Sequence, residues 1–374
     1  MIAEWNLEQA LDRAAAVAEE NALEVDASGR FPRLSVDALS EAGLLGLTSA
    51  PEVGGRGEGM RAAATVVERL ARACASSAMV TLMHYCAAAV VEAHGPEEVR
   101  REIAAGRHLS TLAFSEVGSR SHFWAPLGTA SANSDSVHLS ARKSWVTSAG
   151  EADSYVWSSR PLAADGASTL WLVPARAAGL EVAGGFDGLG MRGNASRPIT
   201  AEDVSVPGAS MLGPDGGGFD LMMGVVLPWF QVLNAAASIG IAEAAIAATT
   251  AHANAARFEH LGQTLAYQPV ARAHVAQMRI LADGARALLL DTLSAIETGR
   301  ADATLRVLEV KPTASEAAIG VTDLAMRVCG GAAFRKETGV ERNFRDARAA
   351  TVMAPTTDAL HDFIGKAVLG LPLF

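Results

Sequence analysis

The texture of this 374-residue chain changes twice, and that double change limits what it can fold into. Up to about residue 108 the apolar residues recur at helical spacing. Leu7, Leu11, Ala14 and Ala18 form one stripe, and Ser35 ahead of Val36, Leu39, Leu44 and Leu45 reads as a capped second helix. From Leu109 to about Val206 the runs shorten to strand length, as in Val137-His138-Leu139, Ser154-Tyr155-Val156-Trp157 and Thr169-Leu170-Trp171-Leu172-Val173. Past the turn-rich Gly213-Pro214-Asp215-Gly216-Gly217-Gly218, helical spacing returns over roughly 219–254, 268–298, 306–329 and 347–369. The expectation is an α+β chain: an all-α domain over 1–108, a β-barrel or sandwich over 109–208, and a four-helix bundle over 209–374.

Composition narrows the function. A net charge of -10 argues against nucleic acid, whose phosphates call for clustered Lys and Arg. Cys74, Cys86 and Cys329 are odd in number and lack metal-ligand spacing, which fits buried thiols in a reducing compartment and no metal. No leader-like layout opens the chain, and no run approaches the roughly 18 apolar residues of a membrane helix. The expected location is the cytoplasm, with no membrane partner.

The segment from Phe114 to Thr147 is the expected cofactor contact. Phe114-Ser115-Glu116-Val117-Gly118-Ser119-Arg120-Ser121 is a polar, turn-rich loop, and Lys143-Ser144-Trp145-Val146-Thr147 reads as a strand placing an indole and a hydroxyl on one face. A flat aromatic cofactor needs a ring to stack on and a hydroxyl within reach of a ring nitrogen. A Trp packed in a barrel core beside a surface Thr has the same spacing.

These residues resemble the flavin-binding segment of the acyl-CoA dehydrogenase superfamily, with its Glu-Pro-Gly-Ala-Gly-Ser-Asp-like loop and Lys-x-Trp-Ile-Thr strand. Similarity continues through Pro51-Glu52-Val53-Gly54-Gly55, Gly188-Leu189-Gly190-Met191-Arg192-Gly193 and Glu341-Arg342-Asn343-Phe344-Arg345-Asp346-Ala347-Arg348. The resemblance implies FAD, with Phe114, Ser115, Trp145 and Thr147 around the flavin ring and Ser121 of the same loop touching substrate. It also implies Arg257 and Gln268 on the pyrophosphate, usually reached from a neighbouring subunit, and Arg327, Gly330 and Gly331 near the adenosine end. Thr356 matches a residue at the cofactor phosphates. The partner implied is an acyl thioester on CoA or a carrier protein, with the electron acceptor undetermined, and the assembly a homodimer or homotetramer.

One departure stands out. The family's catalytic Glu follows "R-D-A" by a few residues, where this chain has Val352-Met353-Ala354-Pro355-Thr356, so Ala354 holds the base position. The alternative position on a bundle helix aligns with Phe230. Removing a proton beside a thioester carbonyl needs a base within reach, so Asp358 and Glu116 become candidates for a relocated one. Three readings stay open: a thioester dehydrogenase or oxidase, a flavin monooxygenase with His84 as proton donor, and a non-catalytic flavin-binding relative. For Asp358 a cap or surface role competes, and for His84 a packed, hydrogen-bonded one.

Overall fold

The computed structural model describes residues 5–119, 122–133 and 136–373. Helix α1 (Leu7–Ser28) starts where the Asn6 side chain accepts the Gln9 N–H at 3.0 Å and stops at Gly29, whose φ of 67° suits glycine. Helix α2 (Arg33–Glu41) begins two residues before Ser35, after Pro32, so Ser35 is a buried residue inside the helix and not its cap. Then come α3 (Met60–Ala73), α4 (Ala75–His94) and α5 (Glu97–Ala104). Helix α4 is buried over most of its length, which explains why its sequence is apolar all round.

The middle region is two sheets. One has strand order β1 (Ser110–Ala113), β4 (Ser154–Ser159), β5 (Thr169–Pro174), β8 (Met211–Leu212). The other runs β2 (Thr129–Asn133), β3 (Ser136–Val146), β7 (Arg197–Pro207), β6 (Leu180–Val182). The β1–β4 pair is parallel and the remaining pairs are antiparallel. Trp157 and Trp171 from the first sheet share a core with Val137, Leu139, Ile199 and Val204 from the second.

Helix α6 (Gly218–Leu221) passes through a π-helical turn, Met222–Val226, into α7 (Leu227–Ala255). A short hairpin, β9 (Arg257–Phe258) and β10 (Gln263–Thr264), leads to α8 (Pro269–Glu297) and α9 (Ala303–Cys329). Helix α7 packs on α3, α8 and α9. At the α3 crossing Gly240 is needed, because a Cβ there would lie 2.3 Å from the Glu68 carbonyl oxygen.

The fourth bundle segment departs from expectation. In place of one helix over 347–369 there are α10 (Val340–Asp346), α11 (Ala349–Val352) and α12 (Thr357–Leu369). Pro355 lacks an N–H and disfavours helical backbone at Ala354, so the helix stops; Thr356 restarts it by accepting the Ala359 N–H at 3.4 Å.

Two helical stretches, Gly218–Ala255 and Ala303–Phe334, do carry windows apolar enough to span a membrane, with mean hydropathy 1.6 and 1.3, contrary to the reading from runs alone. In the structure 78% and 50% of those windows are buried inside the protein, as core helices.

Candidate active site

The Phe114–Ser119 loop is held from below by a buried ion pair. Lys143 Nζ lies 2.6 Å from Glu116 Oε1 and also donates to the Ser158 carbonyl (2.7 Å) and hydroxyl (2.8 Å). The second Glu116 oxygen accepts the Leu127 and Gly128 amides at 2.7 and 2.9 Å. Burial lowers the Lys143 ammonium to about 8, against the Glu116 charge that favours it. The Ser144 N–H donates to the Ser115 carbonyl at 2.9 Å, stitching loop to strand end. Glu116 is thus a structural anchor with both oxygens engaged, not the relocated base. A groove of about 650 Å³ opens beside it, lined by Val117, Leu127, Arg142 and Glu202; of the candidate site residues among the described residues only Glu116 borders it.

Past this anchor the strand is distorted. The β3–β7 register shifts between Lys143 and Val146, Trp145 has φ 57°, and Ser148 has φ 60°. Opposite, Met191 (φ 49°) and Ala195 (φ 51°) are likewise left-handed, and their segment joins this one through Ser148 N–H to Asn194 O and Ala149 N–H to Ala195 O. Thr147 Oγ1 is 3.2 Å from Ser196 Oγ. The distortion overturns the simple alternation: Trp145 is 71% exposed and Thr147 only 2%. Strain in non-glycine residues costs stability and clusters at working sites. An exposed indole at a strand end, in a segment joined to the Phe114–Ser115 loop through the Ser144 N–H, fits a flat aromatic cofactor.

The phosphate and adenosine candidates stand on other elements. Arg257 opens β9 and is exposed, its guanidinium 3.4 Å from the Gly262 carbonyl, and Gln268 precedes α8. Arg327 is exposed in the last turn of α9, and Gly330 and Gly331 are exposed just beyond it. Ser121 and Arg120 lie outside the described residues.

The Arg-Asp-Ala segment braces all three regions. Arg345 pairs with Asp26 of α1 at 2.6 Å and Glu341 at 2.6 Å, and donates to the Leu189 carbonyl at 3.0 Å. Asp346 accepts the Met191 N–H at 2.5 Å, while burial raises its carboxyl to about 6.

His84 is fully buried. Nε2 lies 3.0 Å from the Leu45 carbonyl, and Nδ1 accepts the Ser110 N–H at 3.1 Å, which assigns the proton to Nε2. Burial lowers it to about 4. With both nitrogens committed, it is a packed residue and not the proton donor of an open site. Asp358 is exposed in the first turn of α12, where a negative charge favours the helix N-terminus.

A grouping that sequence reasoning missed surrounds Ala354. Buried Lys311 of α9 donates to the Met353 and Pro355 carbonyls at 2.7 and 2.6 Å, with its Nζ 5.5 Å from the Phe230 ring centroid. Asn234 Nδ2 reaches the Met353 sulfur at 3.4 Å. The signal in the sequence was Asn234, a polar residue in an apolar helical stretch; Lys311, among Arg306, Glu309 and Glu316, carries no such signal.

A helical domain, a strained two-sheet middle domain with an open indole, and a closing helical bundle define a flavin-dependent oxidoreductase scaffold. The chain belongs to the acyl-CoA dehydrogenase family: residues 7–106, 111–204 and 216–369 match that family's N-terminal, middle and C-terminal domains. It is 30% identical over 346 residues to the mitochondrial short-chain specific acyl-CoA dehydrogenase of Bos taurus, covering 90% of this chain and 82% of that protein. Its fold is similar to butyryl-CoA dehydrogenase from Megasphaera elsdenii (TM-score 0.89, 23% identity, 97% and 98% of the two chains). It is also similar to the prolyl acyl carrier protein oxidase AnaB (TM-score 0.88, 20% identity, 98% and 100%). Members of the family are FAD-binding flavoproteins, and FAD is this chain's cofactor.

Proposed function

We propose that this protein oxidises a carbon–carbon bond in the acyl group of a thioester, carried on CoA or on a carrier protein's phosphopantetheine arm. The observation that carries the reading is the Trp145–Thr147 strand end, open at the indole and locked by the Glu116–Lys143 pair, within a scaffold that matches thioester dehydrogenases over nearly its whole length. FAD bound there supplies a two-electron acceptor. Trp145 gives it a stacking face, Thr147 and the Phe114–Ser115 backbone orient it, and Arg257 with Gln268 meets its phosphates, across a subunit boundary in a homodimer or homotetramer. Thr356, Arg327, Gly330 and Gly331 complete that frame. The expected location is the cytoplasm.

The base is the unusual part. Ala354 stands where the family motif carries Glu, and neither it nor Phe230 can take a proton. Asp358, exposed at a helix start, is the remaining carboxylate candidate of those the motif suggested. A monooxygenase reading draws less support, since His84 has both nitrogens hydrogen-bonded in the core.

The test is anaerobic titration of the FAD-loaded protein with short, branched and long acyl-CoAs and the matching acyl-pantetheines, following flavin absorbance. Bleaching without added reductant supports dehydrogenation. Silence with every thioester, together with a transient oxygen adduct after chemical reduction, would overturn it in favour of oxygen chemistry.

A further inference from the structure

Helix α7 carries two amides that the protein leaves unpaired. Gln231 is 0% exposed and Asn234 2% exposed, and Gln231 Nε2, Gln231 Oε1 and Asn234 Oδ1 have no hydrogen-bond partner among the described residues. They are three residues apart, hence on one helix face. Burying an amide without partners is expensive, and natural cores rarely tolerate it without a function.

Their position is informative. Asn234 Nδ2 touches the Met353 sulfur, a weak acceptor, and Met353 is the residue before Ala354. Lys311 fixes the same loop through the carbonyls on either side of Ala354, so the loop backbone is held while the Met353 thioether, a flexible side chain, rests against the Asn234 amide nitrogen. The unpaired set comprises one donor group and two acceptors. A carboxylate only accepts and an ammonium only donates, so each would leave part of the set unpaired; an alcohol oxygen does both.

We propose that Gln231 and Asn234 form a recognition subsite for a hydroxyl group on the acyl portion of the substrate, opened when the Met353 side chain moves aside. The subsite rests on the thioester reading above and narrows it to hydroxyacyl thioesters.

The experiment uses the FAD-loaded protein, with butyryl-, 2-hydroxybutyryl- and 3-hydroxybutyryl-pantetheine as probes. Affinity is read from perturbation of the flavin spectrum and, independently, from the shift in melting temperature. The wild type should bind at least one hydroxylated thioester about tenfold or more tightly than butyryl-pantetheine, the scale of one or two hydrogen bonds. In Gln231→Met and Asn234→Leu that ratio should collapse toward one. The unliganded Gln231→Met protein should also melt at a higher temperature than wild type, because it no longer buries an unpaired amide. Equal affinities in the wild type, a ratio that survives both substitutions, or a lowered melting temperature in Gln231→Met would overturn the subsite. If no thioester perturbs the flavin or the melting temperature of any form, the thioester reading falls, and the subsite with it.

Discussion

Lys311 Nζ lies 2.6 Å from the Pro355 carbonyl oxygen and 2.7 Å from that of Met353, so a single buried amine grips the chain on both sides of Ala354. Burial lowers this lysine from 10.5 to about 7. Below pH 7 folded and unfolded states both carry the charge, and the folded state bears the full desolvation cost. Between pH 7 and about 10.5 the unfolded chain binds the extra proton, so stability rises with pH across that window. Urea unfolding free energies at pH 7 and 9.5 should show wild type gaining about 3 kcal/mol more than Lys311→Met. Parallel pH curves would contradict the assignment.

His84 sets the acid limb. Its folded value of about 4 lies below the ordinary 6.5, so its contribution is complete above pH 6.5 and disappears as pH falls through 4. The full effect is roughly 3 kcal/mol. His84→Gln should flatten the stability loss between pH 6.5 and 4 relative to wild type, measured by denaturant titration at each pH. Raised Asp346 acts in the opposite direction below pH 6, so the comparison is wild type minus variant.

Ala354→Glu tests the proposal that Ala354 stands at the family's base position. Anaerobic bleaching of the flavin by butyryl-CoA should then accelerate by roughly a hundredfold or more, the usual scale of general-base catalysis. A rate equal to wild type would show that Ala354 does not face the reacting carbon.

Glu116→Gln leaves the Lys143 ammonium buried without its counter-charge. Breaking such a pair costs about 3–5 kcal/mol. Denaturant melts should register that loss, and the purified variant should retain less FAD. A variant as stable as wild type would mean that Ser158 and water suffice.

Trp145→Ala and Arg257→Ala separate cofactor binding from folding. Both side chains are exposed, so apoprotein stability should shift by less than about 0.5 kcal/mol. Flavin absorbance per protein should drop in each. Unchanged flavin content in both would remove the strand end and the hairpin from the cofactor site.

The three-part architecture was legible because helical and strand periodicities alternate along the chain in long blocks, and the family motifs fell inside those blocks. Local breaks were less legible. Trp145 and Thr147 read as one face because counting by two assumes a regular strand, and nothing in Lys-Ser-Trp-Val-Thr announces the left-handed backbone at Trp145. Pro355 breaks the fourth segment, yet the apolar spacing on either side of it reads as one helix. His84 and Glu116 were visible as chemistry, but their partners Leu45, Ser110, Leu127 and Lys143 are distant in sequence and only the fold supplies them.

The π-helical turn at Met222–Val226, where the Leu227 N–H reaches back to the Met222 carbonyl, gives the chain one residue more than an α-turn would hold. Every side chain after it is therefore rotated by about 100° from the face that counting from Phe219 assigns. Deleting one residue within that turn would leave the composition of α7 almost untouched. It would also swing Phe230 away from Lys311, and Asn234 away from Met353. The phase of the helix is set five residues before its first regular turn, and the choice of side chains that face Lys311 and the Met353 loop is set with it.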